Sequence, residues 1–296
     1  MTQAMTEEDS RMEERRRRTV PSPSALGDAV AYPGPSGSHT AAAAAALFPS
    51  AELRPLPSFG AVAAAVVACE AAYGVLPIES SLAGAVAETH DLLYRHDLSI
   101  VGETVRPIRH CVAAVAPVAL DDIRVFRSHP TALDQCRGIL DGRTTIPAAT
   151  TSDAARIVAQ RGDAAEAAIA SPEAAALYGL TVIADDVGDT TAFTRFVTVA
   201  THTLVDVSNA RMALAFVTDH RSGALHAAIT PFAEAGLDLQ RLVSRPLPNT
   251  PFQYRFDAVV AGHPLDPAVR DALRAVRSLT RELHVLGVYE AHEEEA

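Results

Sequence analysis

An α/β domain followed by a small βαββαβ module is the architecture the sequence predicts, and three observations predict it. From Val30 onward, short apolar segments end in Gly, Ser or Thr and run into longer alanine-rich stretches, the alternation expected of an α/β fold. After Asn209 the order becomes strand, helix, strand, strand, helix, strand, a split βαβ sandwich. A length of 296 residues accommodates about two such units.

Residues 1–28 read as a disordered polar tail, because EEDSRMEERRRR and the Pro/Ser stretch after it carry no hydrophobic period. The first domain takes 29–202. Within it, AVAY leads through GPSGSHT to a helix at Ala41, and GVLPI leads through ESSLAG to a helix ending near Leu93. VFRSHP then precedes ALDQCRGIL, TTIPAA precedes TTSDAARIVAQ, and AAIAS precedes PEAAALYG. Each joint puts hydroxyl side chains where the N–H groups of a helix start are unpaired and its dipole is positive. Such a start is a cap first and an anion site second; several converging on one cleft would make a binding site.

A polar connector within THTLVDVSNA covers 203–209. Beyond it, in 210–290, RMALAFVT is a strand, GALHAAITPFAEAG a helix ending at Gly236, and LDLQRLVSR and FQYRFDAVVAG two strands. PAVRDALRAVRSL is a helix and RELHVLGVY the last strand, before an acidic tail at 291–296.

All 25 basic residues are arginine, and no lysine is present. That excludes a Schiff base, a pyridoxal-phosphate enzyme, a P-loop and a kinase lysine. A net charge of -11, with basic residues clustered only at Arg15–Arg18, argues against nucleic acid as a partner. Cys69, Cys111 and Cys136 form no C-x-x-C pair and read as free thiols in a reducing cytoplasm, with no metal site. The apolar runs starting at Ala41 and Ala61 are far shorter than the roughly 18 residues of a membrane span. The segment after Arg18 lacks the apolar core of a signal peptide.

Seven blocks, VAYPGPSGSHTAAA, GVLPIESSLAGAVAETHDLL, RPIRHCVAAV, FRSHPTALDQC, TTSDAARIVA, AAIASPEAAALYGL and TTAFTRFVTV, resemble in order those of prephenate dehydratases. GALHAAITPFAEAGLDLQRLVSRP resembles the ACT regulatory domain that often follows. The resemblance implies a two-lobed catalytic domain similar to periplasmic binding proteins, with the substrate in the cleft. It implies a cofactor-free lyase that removes carbon dioxide and the ring hydroxyl of prephenate to give phenylpyruvate. Dimers or tetramers assembled through the C-terminal modules are implied too.

In TTAFTRFV, Thr194, Arg195 and Phe196 match the end of the family's N-x-T-R-F. On that resemblance Thr194 donates a hydrogen bond to the departing hydroxyl, Arg195 clamps a carboxylate and Phe196 adjoins the substrate. Glu79 and Ser81 match the family's E-N-S, and Ser38, Thr150 and Thr151 fall at binding positions. His129 matches as well and reads as structural. Two positions depart: Ser80 and Ala192 replace family asparagines, removing an amide that both donates and accepts. The departures leave open arogenate dehydration, a non-aromatising prephenate decarboxylation, or a non-catalytic amino-acid sensor. In the C-terminal module Gly223, Ala224 and Leu225 match G-A-L-V, while Ser244 and Arg245 match E-S-R-P with Val243 in place of the acid. These imply an L-phenylalanine effector site that is altered.

Overall fold

The computed structural model describes residues 29–203, 207, 209–248 and 250–290. The tails expected at 1–28 and 291–296, and most of the expected connector, lie outside them.

The first lobe opens with β1 (Ala29–Pro33), α1 (His39–Leu47), β2 (Glu52–Leu56) and α2 (Phe59–Val67). It continues with β3 (Tyr73–Ser80), β4 (Gly84–Ala85), α3 (Ala87–Arg95) and β5 (Ser99–Ile108). The chain then crosses to a second lobe of β6 (Cys111–Ala114), β7 (Val125–Ser128), α4 (Pro130–Gln135), α5 (Arg137–Leu140) and β8 (Thr144–Pro147). That lobe is completed by α6 (Thr151–Arg161), β9 (Glu166–Ala170), α7 (Pro172–Leu177) and β10 (Thr181–Ala184). A second crossing returns the chain as β11 (Ala192–Ala200), which inserts antiparallel between β3 and β5. Two crossings of the chain between sheets give the two-lobed α/β arrangement that the family resemblance implies.

The C-terminal module follows as β12 (Ala210–Val217), α8 (Ala224–Glu234), β13 (Leu239–Pro246), β14 (Tyr254–Ala261), α9 (Pro267–Leu279) and β15 (Glu282–Glu290), the expected βαββαβ. Its sheet is not separate. Strand order runs β13-β14-β12-β15-β5-β11-β3-β1-β2, with β4 on β3, so module and first lobe share one ten-stranded sheet. The seam is a parallel pairing of Gly287 with Ile100. A Cβ on Gly287 would lie 2.1 Å from the Ile100 carbonyl oxygen, so only glycine permits this approach. The second lobe has its own sheet, β10-β6-β9-β7-β8.

Alanine explains how close the layers sit. On α1, Ala41, Ala43 and Ala44 are buried against Val30, Tyr32, Val75 and Phe196, and a one-carbon side chain both favours helix and lets it approach the sheet. On the opposite face of the shared sheet, Leu76, Ile78 and Val197 meet Leu93, Ala215, Val259 and Tyr289. This core therefore joins the first lobe to the module through apolar burial, the dominant favourable term in folding. Helices α8 and α9 cover the module's other face, around Phe216, Phe232 and Val276.

Three of the five joints end in hydroxyl N-caps: Ser38 accepts from the Ala41 N–H, Thr150 from Asp153 and Ser171 from Ala174. At the fourth the cap is His129, whose Nδ1 accepts from the Thr131 N–H at 3.2 Å. Ser128 is buried and donates instead to the Ile169 carbonyl. The fifth differs from expectation: β3 runs on through Ser80, and α3 starts only at Ala87 with Val86 as a cap lacking a side-chain bond.

Candidate active site between the lobes

Strand β11 organises the site. Thr194 pairs with Ser80 on β3 on one side and with Arg106 on β5 on the other. Directly paired residues point to the same face of a sheet, so the hydroxyls of Thr194 and Ser80 and the guanidinium of Arg106 stand on the α1 face. Ser81 locks this arrangement: its N–H donates to the Phe193 carbonyl and its Oγ accepts the Phe193 N–H, both at 2.9 Å. Its place is therefore a turn zipped to β11, not a helix start. Ser80 Oγ accepts from the N–H groups of Leu82 and Ala83 at 3.4 and 3.3 Å, shaping that turn.

The lobes meet at the loop before α1. Ser152 Oγ donates to the Ser36 carbonyl at 2.7 Å, and Ser171 Oγ to the Gly37 carbonyl at 3.1 Å. Gly37 has φ +81°, and a Cβ there would sit 3.1 Å from the Ala174 Cα and 3.2 Å from Ser152 Oγ. The starts of α1, α6 and α7, which carry Ser38, Thr150 and Thr151, thus converge on one place. Thr150 is doubly engaged, accepting from the Asp153 N–H and donating to the Asp153 carboxylate.

Beside this clasp a cavity of about 250 Å³ is lined by His39 and Ala42 of α1, Arg106, Arg109 and the residues between them, and Pro172 and Glu173 of α7. Burial, then the neighbouring His110, lowers the pKa of His39 to about 4, so its ring is neutral near pH 7. His110 packs edge-on at 5.8 Å and bonds Gln135 through Nε2 at 2.9 Å.

Three expected substrate contacts lie elsewhere. Arg195 alternates with Thr194 and points to the opposite face, toward the module. There it meets Glu103 at 3.2 Å and Glu79 at 3.5 Å. Burial acts to lower the guanidinium pKa, and the two carboxylates, Glu103 first, more than offset it. Arg211 pairs with the same Glu103, and Arg241 with Glu79 at 3.3 Å, giving a ladder of alternating charge, Arg241–Glu79–Arg195–Glu103–Arg211. The ladder lines a cavity of about 460 Å³ at the junction with the module. Arg195 and Glu79 are therefore tied into this junction and not directed to the cleft. Phe196 returns to the α1 face but is 1% exposed, filling the core against Tyr32 and Phe48. Neither Arg106 nor His39 is marked out by the local sequence pattern; the pairing of β5 with β11 and the lining of the cavity place them here.

A second network crosses the same junction. Arg255, 1% exposed, bonds Asp257 in a fork at 2.7 and 3.0 Å and reaches Asp91 of α3. It also lies 4.2 Å over the Tyr94 ring. His90 Nδ1 bonds Asp257 at 2.9 Å, and Arg245 bonds Asp91 at 2.9 Å. Arg245 therefore faces the first lobe. Ala224 and Leu225, which follow Gly223 at the start of α8, line a separate cavity of about 170 Å³ with Phe256. Ser244 is paired with Phe256 and shares that face.

All three cysteines are free. Burial pushes the thiols of Cys111 and Cys136 up to about 12, which removes them as nucleophiles at neutral pH. Among the described residues, no cluster of His, Cys, Asp and Glu could hold a metal ion, and no helix is long and apolar enough to cross a membrane.

Fold and site together define a two-lobed α/β enzyme whose interlobe cleft presents hydroxyls, helix starts and guanidinium groups. The family model for prephenate dehydratase matches residues 30–204. Arogenate dehydratase/prephenate dehydratase 2 of Arabidopsis thaliana is 34% identical over 274 residues, spanning 88% of this chain and 72% of that protein. The bifunctional chorismate mutase/prephenate dehydratase of Stutzerimonas stutzeri is 32% identical over 88% of this chain and 72% of its own. Among solved structures, prephenate dehydratase from Arthrobacter aurescens in complex with L-Phe superposes with a TM-score of 0.81 at 30% identity, covering 89% of this chain and 90% of that one. GqqA, described as a novel type of quorum-quenching acylase, reaches 0.82 at 31% identity over 89% and 98%. The chain belongs to the prephenate dehydratase family and is a lyase of the decarboxylating dehydratase kind.

Proposed function

We propose that the interlobe cleft carries out decarboxylating dehydration of a cyclohexadienyl dicarboxylate, prephenate or its amino analogue arogenate, with Thr194 at the leaving hydroxyl and Arg106 at a carboxylate. The observation that carries this reading is the row Ser80–Thr194–Arg106 across three adjacent strands on the cleft side. The ring C–COO bond breaks, its electron pair moves through the ring, and the opposite C–OH bond breaks. The departing oxygen takes up a proton from solvent and leaves as water. Aromatisation supplies the driving force, so the protein's part is to hold the anion and stabilise the oxygen as charge develops on it. A threonine hydroxyl is too weak an acid to be the proton's main source, and its role is that of a hydrogen-bond donor. Arg106 takes the carboxylate role because Arg195 is occupied by Glu79 and Glu103; a guanidinium fork suits a carboxylate.

Ser38 and Ser81 each accept a backbone N–H and are not paired with a histidine base, which argues against a serine nucleophile of an acylase.

The C-terminal module is, in this reading, an ACT regulatory domain, the enzyme is cytoplasmic, and subunits associate through these modules, with β13 at the free edge of the sheet. Val243 pairs with Asp257 and offers no hydrogen-bonding side chain. L-phenylalanine is accordingly expected to inhibit weakly; inhibition at micromolar concentration in a titration would contradict that.

The test is product identification after incubating the protein with prephenate and, separately, arogenate. Phenylpyruvate and phenylalanine, respectively, support dehydration. A non-aromatic decarboxylated product would instead indicate decarboxylation alone, and binding without turnover would indicate a sensor.

A further inference from the structure

The 250 Å³ cavity beside Thr194's strand holds three charged side chains, Arg106, Arg109 and Glu173. None of them forms an ion pair among the described residues, whereas Glu79, Glu103, Asp91 and Asp257 are each matched by arginine. Arg106 belongs to both places: it pairs across β11 with Thr194 and it lines the cavity. A substrate whose hydroxyl sits at Thr194 and whose carboxylate meets Arg106 therefore extends toward Glu173, which comes from the opposite lobe.

Resting on the dehydratase reading above, we propose that Glu173 is a specificity-determining residue that selects the substrate bearing an α-ammonium group, arogenate, over the α-keto acid prephenate. The two substrates share the ring, its hydroxyl and both carboxylates. They differ at one position, where a cationic donor replaces a neutral acceptor. Two arginines satisfy the carboxylates of either molecule. The remaining carboxylate of the cavity can only accept hydrogen bonds, so it complements an ammonium and opposes a keto oxygen. The cavity's summed charge points the same way: two cations and one anion match a substrate of net charge -1 better than one of -2.

The experiment compares kcat/KM for arogenate and prephenate in the full chain and in Glu173→Gln. Glutamine keeps the size and can turn its amide N–H toward a keto oxygen. Glu173 is exposed, and the Ser171 cap of its helix is untouched, so folding is expected to survive. Asp141→Asn, removing an exposed carboxylate on the same lobe outside the cavity, is the charge control. The expected result is a wild-type preference for arogenate that falls roughly tenfold or more in Glu173→Gln, through loss on arogenate, and is unmoved in Asp141→Asn. A wild-type preference for prephenate, an unchanged ratio in Glu173→Gln, or an equal change in the control would each overturn the proposal. Turnover of neither substrate by wild type would instead sink the dehydratase reading beneath it.

Discussion

Thr194 and Arg195 are neighbours in sequence that face opposite sides of one sheet, the first the side that carries α1 and the second the charge ladder at the module junction. Substitution should separate them by kind of effect. Thr194→Ala is expected to lower kcat by about 100-fold with a stability change under about 1 kcal/mol, since it removes a donor from a partly exposed site. Arg195→Ala is expected to cost about 2 kcal/mol or more in urea denaturation, because it strips a partner from buried Glu103. Arg211 keeps that cost from being larger. Equal losses of kcat without loss of stability in both variants would contradict the assignment.

Arg255→Ala should be the most damaging single change at the junction. It leaves Asp257, 4% exposed, with only the His90 ring beside it, and breaking a buried pair costs about 3–5 kcal/mol. Chemical denaturation measures this, with Arg274→Ala, an exposed pair on α9 worth under about 1 kcal/mol, as the comparison.

Gly287→Ala tests the seam. Its methyl group would collide with the Ile100 backbone, so the β15–β5 pairing must open, at a cost of about 3 kcal/mol or more. The measurable signature is faster proteolysis between the two units and a lower thermal midpoint. An unchanged midpoint would mean that the strands are not in register in solution.

Acid pH should weaken the clasp between the lobes through His39. Its folded pKa of about 4 lies below the ordinary value of 6.5, so between these limits the unfolded chain binds the proton and the folded chain does not. Stability from this group is complete above about pH 6.5, declines as pH falls toward 4, and is lost at no more than about 1.4 kcal/mol per pH unit. Solvent reaching the half-buried ring makes the slope shallower. His39→Asn is expected to flatten that part of the stability–pH curve, as followed by urea midpoints at pH 7, 6 and 5.

Much of the fold could be read from pattern. The N-caps Ser38, Thr150 and Ser171 follow from hydroxyls placed before apolar helices, and βαββαβ follows from the periodicity after Asn209. The merging of two sheets could not be read, because it rests on one residue pair, Gly287 with Ile100, far apart in sequence. At the site, resemblance led to Thr194, but alternation along a strand already forbids Thr194 and Arg195 from sharing a face. Ser80, noted only as a departure, stands directly opposite Thr194. Arg106 is not legible in the sequence, because nothing local distinguishes a cleft arginine from a surface one; only the pairing of β5 with β11 does so.

The position of β15 has a consequence for how the chain is made. This last strand lies between β12 and β5, in the interior of the shared sheet. Until Glu282–Glu290 has left the ribosome, both neighbouring strands present bare edges, and the first lobe's sheet ends abruptly at β5. Such edges invite pairing with other chains. Nascent protein is therefore expected to depend on chaperones until Glu282–Glu290 emerges, and stop codons before Glu282 should yield aggregates, not an unregulated but active enzyme.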